Sequence, residues 1–304
     1  MTQLLNALPG ALAQGLIWGV MAIGVYITYK VLDIADLTVD GSICTGAAVC
    51  TMLLLGGQSP WLALLCAVLA GVLAGAVTGL LHVGLGIPPI LAGILTQMVL
   101  WSVNLKLLGK ANQALPARTT PVLLSQMDVG GALPVLLGFC VVLVALLVLF
   151  FGTELGCALR ATGCNPVMSR AQGVNTGLMK VVGLALSNGV VALSGALLCQ
   201  YQGYTDVNMG RGAVVIGLAA VVIGQAVLGR RGGRMAVQLG GVILGAVIYY
   251  IVYQVIIFAG FDTDLLKMFS AVVVAMFLGA PHVKAQLKAH SRSKKGDSGH
   301  AENE

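Results

Sequence analysis

Residues 61–83 read WLALLCAVLAGVLAGAVTGLLHV, a run without Asp, Glu, Lys or Arg. A helix needs about 20 consecutive apolar residues to cross the ~30 Å hydrocarbon core of a bilayer, so this run predicts a membrane span. Inside it Gly71, Gly75 and Gly79 recur at four-residue spacing, as do Gly15 and Gly19 upstream and Gly241 and Gly245 downstream. Lipid offers helices no hydrophobic drive to associate, and such small-residue stripes let backbones approach closely instead. Packing between helices of this chain is the first reading of the stripes, and a subunit interface the sharper one.

The rest of the chain repeats the theme. Of 304 residues, 58% are hydrophobic and 9% charged, with a mean hydropathy of +0.95, far from the balance of a soluble domain. Neutral runs broken by Gly, Pro and charge place further spans near Ala11 to Tyr29, Gly41 to Leu55, Ile87 to Leu108, Leu133 to Phe151, Leu178 to Tyr201, Gly212 to Leu228, Ala236 to Ala259 and Leu265 to Leu278. The expected fold is therefore an all-α integral membrane protein, a polytopic bundle of about nine helices. The second span is short and closely followed by Gly56-Gly57, and Pro88-Pro89 opens the fourth, so either is a candidate for a broken or re-entrant helix, and the count runs from eight to ten. The first span lacks the basic leading region of a secretory signal and is long enough to stay in the membrane, so no cleavage is expected. Residues 1–280 form the transmembrane unit. In the tail, 281–304, the stretch SRSKKGDSGHAENE from Ser291 is too polar to offset its ordering entropy and is expected to be disordered.

Placing the loop from Glu154 to Thr176 in the cytoplasm puts Lys30, Arg160, Arg170, Lys180, Arg230, Arg231, Arg234 and the five basic residues of the tail inside. Lys106, Lys110, Arg118, Arg211 and Lys267 then lie outside, five against twelve, which satisfies the positive-inside rule and makes the C-terminus cytoplasmic. Nine spans put the N-terminus outside. The same topology accounts for the net charge of +6 without a nucleic-acid partner. Seven scattered cysteines, with no C-x-x-C pair, read as small hydrophobes rather than a metal site.

The stretch from Thr153 to Gly177, TELGCALRATGCNPVMSRAQGVNTG, is too polar to span and too patterned for a plain linker. Glu154 to Thr162 predicts a short helix, acid in its first turn, Arg160 in its last, and Gly163 placed to end it. Asn165 and Pro166 are the paired start signal of a second short helix that runs through Arg170 and ends at Gly173, and Asn175 is placed to cap the next span. Val167, Met168 and Ala171 share a face, so the pair forms either a knob for a groove on a partner protein or a hairpin lying on lipid.

Gly156, Leu159-Arg160-Ala161, Gly163-Cys164-Asn165-Pro166, Arg170 and Gly173-Val174-Asn175 resemble the cytoplasmic coupling loop of permease subunits of bacterial ABC importers of the branched-chain amino acid and ribose type. Ala219 to Gly224, with Gly229, Gly232-Gly233 and Gly240-Gly241, continues the resemblance, although Gln225 stands where many relatives carry glycine. Asp36 to Ser42, DLTVDGS, is similar to a narrower branch assigned to tryptophan or tyrosine transport. The resemblance covers about Gly19 to Gly279. It implies a coupling loop contributed by Glu154, Gly156, Arg160, Gly163, Asn165, Pro166, Met168, Arg170 and Gly173. It also implies a second permease copy, two copies of an ATPase that holds ATP and Mg, and an extracytoplasmic binding protein that delivers a small solute, an aromatic amino acid in that branch, across the bacterial cytoplasmic membrane. The chain itself contains no G-x-x-x-x-G-K-[ST] phosphate loop, so ATP hydrolysis is expected in the partner and no cofactor is expected here.

Asp33, Asp36 and Asp40 stand three and four residues apart, a spacing that would stack them on one helix face. They lie either in a solvated cytoplasmic turn, with Asp40 capping the second helix, or in a segment that re-enters the bundle, where Asp36, Thr38, Asp40 and Ser42 would face the solute pathway. Gln97, Asn104, Asn188 and Gln225 are uncharged polar groups inside spans, suited to solute contact or to bonds between helices. His82 has no second His or carboxylate beside it in sequence, and no catalytic constellation is readable. The competing function classes are an ion-coupled secondary transporter, which usually needs ionisable groups near the membrane centre, and a membrane-embedded enzyme.

Overall fold

The computed structural model describes residues 2–116, 120, 122–228 and 234–258, together with 268, 272 and 275. Among the described residues six helices are long and apolar enough to cross a bilayer: α1 (Thr2–Tyr26, with its extension to Val31), α3 (Pro60–Gly84), α4 (Pro89–Leu108), α5 (Val129–Gly152), α8 (Thr176–Gln202) and α10 (Met235–Phe258). Two shorter apolar helices, α2 (Val39–Leu55) and α9 (Ala213–Leu228), occupy the second and seventh expected spans. Eight of the expected spans are thus helical. Of the ninth, near Leu265 to Leu278, only residues 268, 272 and 275 are among the described residues, and the tail, Arg118, Arg230, Arg231 and Lys267 lie outside them.

The breaks fall elsewhere than the glycine and proline pairs suggested. Gly56 and Gly57 end α2 in an ordinary turn, and Pro88 and Pro89 open an unbroken α4. The interruption lies at the start of α2. There α1 loosens into a π-helical turn, Ile27–Val31, followed by Asp33 at φ 55, a left-handed conformation that Asp tolerates better than most residues. The chain then runs non-helically inside the bundle to Thr38, with Leu32, Ile34, Asp36 and Thr38 buried. Such backbone survives at membrane depth only where protein surrounds it.

At ~1.5 Å per residue, the 17 residues of α2 and 16 of α9 reach roughly 25 Å, short of a full crossing. Both begin inside the bundle and run towards opposite faces. The glycine stripes serve packing within the chain: Gly71, Gly75 and Gly79 of α3 lie against the backbone of α8 at Asn188, Leu184 and Val181. Gly15 and Gly19 of α1 meet Val247 and Ile243 of α10, and Gly245 meets Ala220 of α9. On the face opposite the 153–177 loop, β1 (Asn112–Ala114) pairs antiparallel with β2 (Tyr204–Asp206), Gln113 opposite Thr205. The loop itself folds into α6 (Glu154–Cys164) and α7 (Pro166–Ala171).

Candidate functional site

The three aspartates do not stack on a helix face, because the backbone between them is not helical. Asp33 is exposed at its left-handed turn, Asp36 is buried, and Asp40 enters the first turn of α2. Asp36 Oδ1 accepts from the Thr38 amide at 2.8 Å and Oδ2 from Asn188 Nδ2 at 2.7 Å. Asn188, midway along α8, uses its remaining polar atom to accept from Ser42 Oγ at 2.6 Å. The hydroxyls of Thr38, Thr78 and Thr96 continue the network at 2.8 and 3.0 Å, joining α2, α3 and α4. Of the expected pathway residues, Asp36, Thr38, Ser42 and Asn188 therefore form one satisfied, buried polar knot that locks the interrupted segment to three helices.

Asp40 does something else. Its Oδ2 accepts from the Gly212 amide and its Oδ1 from the Val214 amide, each at 3.0 Å, so it caps α9 and not α2. A carboxylate satisfies orphan N–H groups and complements the positive end of a helix dipole. The approach to this cap, 207–212, runs along α2, where Cys44 Sγ bonds Val207 O at 3.3 Å and accepts from the Gly210 amide at 3.1 Å. Asp40, Gln97 and Asn104, the rest of the expected set, line one cavity of about 620 Å³ between α2 and α4, shared with Trp101 and Arg211. Asn104 is 1% exposed, and neither its amide nitrogen nor its amide oxygen has a partner among the described residues. Gln225 is exposed on a regular stretch of α9.

The α6–α7 hairpin is built by local caps. Thr153 Oγ1 accepts from the Gly156 amide at 3.3 Å, Asn165 Oδ1 from the amides of Val167 and Met168 at 3.1 and 3.0 Å, and Asn175 Oδ1 from that of Leu178 at 3.1 Å. Pro166 is the first residue of α7, and Gly173, at φ 84, closes it with a left-handed turn. Gly163 does not end α6, which continues to Cys164. Its place is explained by contact, since it lies against the carbonyl of Val31 and the Cα of Leu32, where a side chain would collide. Gly156 is likewise pressed on Phe150 and Phe151 of α5. Arg160 Nη2 donates to Phe151 O at 3.0 Å, satisfying an end carbonyl of α5 instead of serving α6, and Arg170 Nε donates to Thr176 Oγ1 at 2.8 Å. Glu154 is exposed, and so are Leu155, Val167 and Met168, at 54, 75 and 61%. These three apolar side chains form the outer surface of the knob.

Arg211, Trp101, Thr78 and Thr96 join these sites without having been singled out in the sequence. Arg211 was legible as the charge just before a short apolar run. The two threonines carry no sequence signal, because a threonine in a span usually bonds its own helix, as both also do here to Ala74 O and Ala92 O. His82, isolated in sequence, bonds Ile87 O through Nδ1 at 2.8 Å and meets Lys180 Nζ through Nε2 at 3.3 Å.

Residues 8–281 match the family described as branched-chain amino acid transport system, permease component. The chain is 37% identical over 287 residues to the Tyrosine transport system permease protein of Clostridioides difficile, covering 93% of this chain and 94% of that one. It is 33% identical over 285 residues to an uncharacterized protein of Rickettsia prowazekii, 93% and 99% of the two chains. It is 30% identical over 216 residues to the Autoinducer 2 import system permease protein of Escherichia coli, 67% and 60% of the two. No solved structure matches. With its multi-pass helical bundle, this chain belongs to the branched-chain amino acid transport permease family and is the membrane-spanning permease component of an ABC transport system.

Proposed function

We propose that the chain lines the solute path of an importer in the bacterial cytoplasmic membrane, with its C-terminus in the cytoplasm and a second permease copy beside it. Symmetric homodimers are the commonest oligomers, which favours a second copy of this chain over a sister permease. Two copies of an ATPase, which bind ATP and Mg, dock on the exposed face of α6–α7, and an extracytoplasmic binding protein delivers the solute on the β1–β2 side. The solute is an aromatic amino acid, a reading supported by the relative that transports tyrosine.

The observation that carries this reading is the contact of Gly163 with Val31 and Leu32. A push on the α6–α7 knob has no soft layer to cross before it reaches the interrupted segment. That segment is tied through Asp36 to Asn188, and the adjoining first turn of α2 holds α9 through Asp40. Closure of the ATPase would therefore move the inner ends of two short helices, which is where access to a pathway can be switched.

The test is extraction of the tagged chain from native membranes in mild detergent, identification of what stays bound by mass spectrometry, and reconstitution of that assembly in vesicles. An ATPase and a binding protein are expected, with uptake that stops when ATP is depleted. Uptake that survives ATP depletion but stops when an ion gradient is collapsed would overturn the reading in favour of a secondary transporter.

A further inference from the structure

The cavity between α2 and α4 holds one anion, Asp40, and one cation, Arg211, and no ion pair or hydrogen bond occupies the Arg211 guanidinium among the described residues. Asp40 accepts from the amides of Gly212 and Val214, and also from that of Ala213, and a carboxylate offers about four acceptor sites, so it retains capacity for one further donor. Asn104 adds the decisive detail. A buried amide with both atoms unpartnered is costly, since it has given up its bonds to water without replacement, and natural structures keep few of them. Here the orphaned amide faces a cavity that also contains Gln97, while Trp101 and Met98 supply an apolar wall. A volume of about 620 Å³ suits a small molecule.

We propose that this cavity is a solute-binding site within the permease itself, and that it reads the two charges of a free α-amino acid zwitterion. The guanidinium of Arg211 takes the carboxylate in a forked pair of N–H bonds, Asp40 takes the ammonium, and Asn104 satisfies its amide on the ligand. The side chain of the amino acid lies against Trp101 and Met98. The inference rests on the importer reading and adds to it that selectivity for amino acids is exercised a second time inside the membrane, after any selection by a binding protein. Because Asp40 also caps α9, a ligand drawing on its carboxylate would sense, and alter, the hold of α2 on α9.

The experiment uses the purified permease–ATPase complex without binding protein and measures equilibrium binding of tritiated L-tyrosine. Tyramine, which lacks the carboxylate, and desaminotyrosine, which lacks the ammonium, serve as competitors. Tyrosine is expected to bind about tenfold tighter than either, as the loss of one charge-assisted pair implies. Arg211→Gln should weaken tyrosine about tenfold and abolish its advantage over tyramine alone, and Asn104→Leu should weaken all three ligands alike. Both variants keep α9 capped, and co-elution of the ATPase checks that they assemble. A wild-type complex that binds tyrosine and tyramine equally, or an Arg211→Gln variant that binds like wild type, would overturn the site. Uptake by the complete importer separates the two claims. An importer that carries tyrosine while the cavity binds none loses only the cavity, whereas failure to carry any amino acid removes the amino-acid reading of the importer on which the cavity rests.

Discussion

Gly163, in the last turn of α6, lies directly against the main-chain carbonyl of Val31, in the π-helical turn that ends α1. A hydrogen in place of a side chain is what permits this approach. Adding even a methyl group requires backbone to move, since the obstructing atoms are main chain. Gly163→Ala is expected to leave insertion and ATPase docking in place and to lower uptake per ATP hydrolysed by about 10-fold, within the 1–3 kcal/mol typical of coupling between sites. Parallel measurement of uptake and hydrolysis in vesicles checks it, and an unchanged ratio would show that force does not travel through this contact.

The knot around Asp36 makes a different prediction. Removing its carboxylate leaves the Thr38 amide without its acceptor and one N–H of Asn188 Nδ2 unpaired in a buried setting, while Nδ2 keeps its bond to Leu184 O at 2.9 Å. Asp36→Ala should therefore destabilise the purified protein by about 2 kcal/mol or more, with Asn188→Leu giving a comparable loss. The double variant should lose less than the sum, because each substitution removes the partner that the other leaves stranded. Thermal unfolding in detergent, run as a double-mutant cycle, reads the difference.

Asp40 predicts a graded series. Asp40→Asn keeps an oxygen able to accept from an amide of α9 and should be mild, whereas Asp40→Ala removes both bonds to Gly212 and Val214 and should cost about 1 kcal/mol. Hydrogen exchange at the first turn of α9 is the direct measurement. Equal protection in wild type and Asp40→Ala would mean that the cap does not hold that helix end.

Two glycines in different helices give a paired test of packing. Gly75→Val drives a side chain into the Leu184 carbonyl of α8 and should abolish stable insertion, while Gly138→Val, with nothing within 4 Å, should be tolerated. Membrane yield and detergent melting temperature distinguish them. Comparable loss in both would point to a defect in helix insertion rather than in the α3–α8 contact.

What could be read ahead of the structure was whatever lies within one or two turns of chain. The run from Trp61 to Val83 sits inside α3, the Asn165-Pro166 start of α7 and its Gly173 stop stand where their chemistry places them, and the four-residue glycine spacing marks the faces on which helices meet. Where local reasoning failed, a distant contact had overridden it. Gly163 has the composition of a helix stop and the duty of a contact surface, Arg160 serves the end of α5, and the aspartates at helical spacing sit on backbone that the surrounding bundle holds out of a helix.

The sequence by itself determined that this chain spans a membrane many times, belongs among transport permeases and carries a capped double-helix knob between two spans, because hydropathy, caps and turn residues act over a few positions. Only the tertiary structure decided that Asp36 pairs with Asn188 across 152 residues, that Asp40 caps a helix 172 residues away, and that Asn104 and Arg211 face one cavity. Those choices depend on which helix surfaces meet. In lipid that is settled by close packing and by the need to satisfy every buried polar group, conditions that no local stretch of sequence expresses.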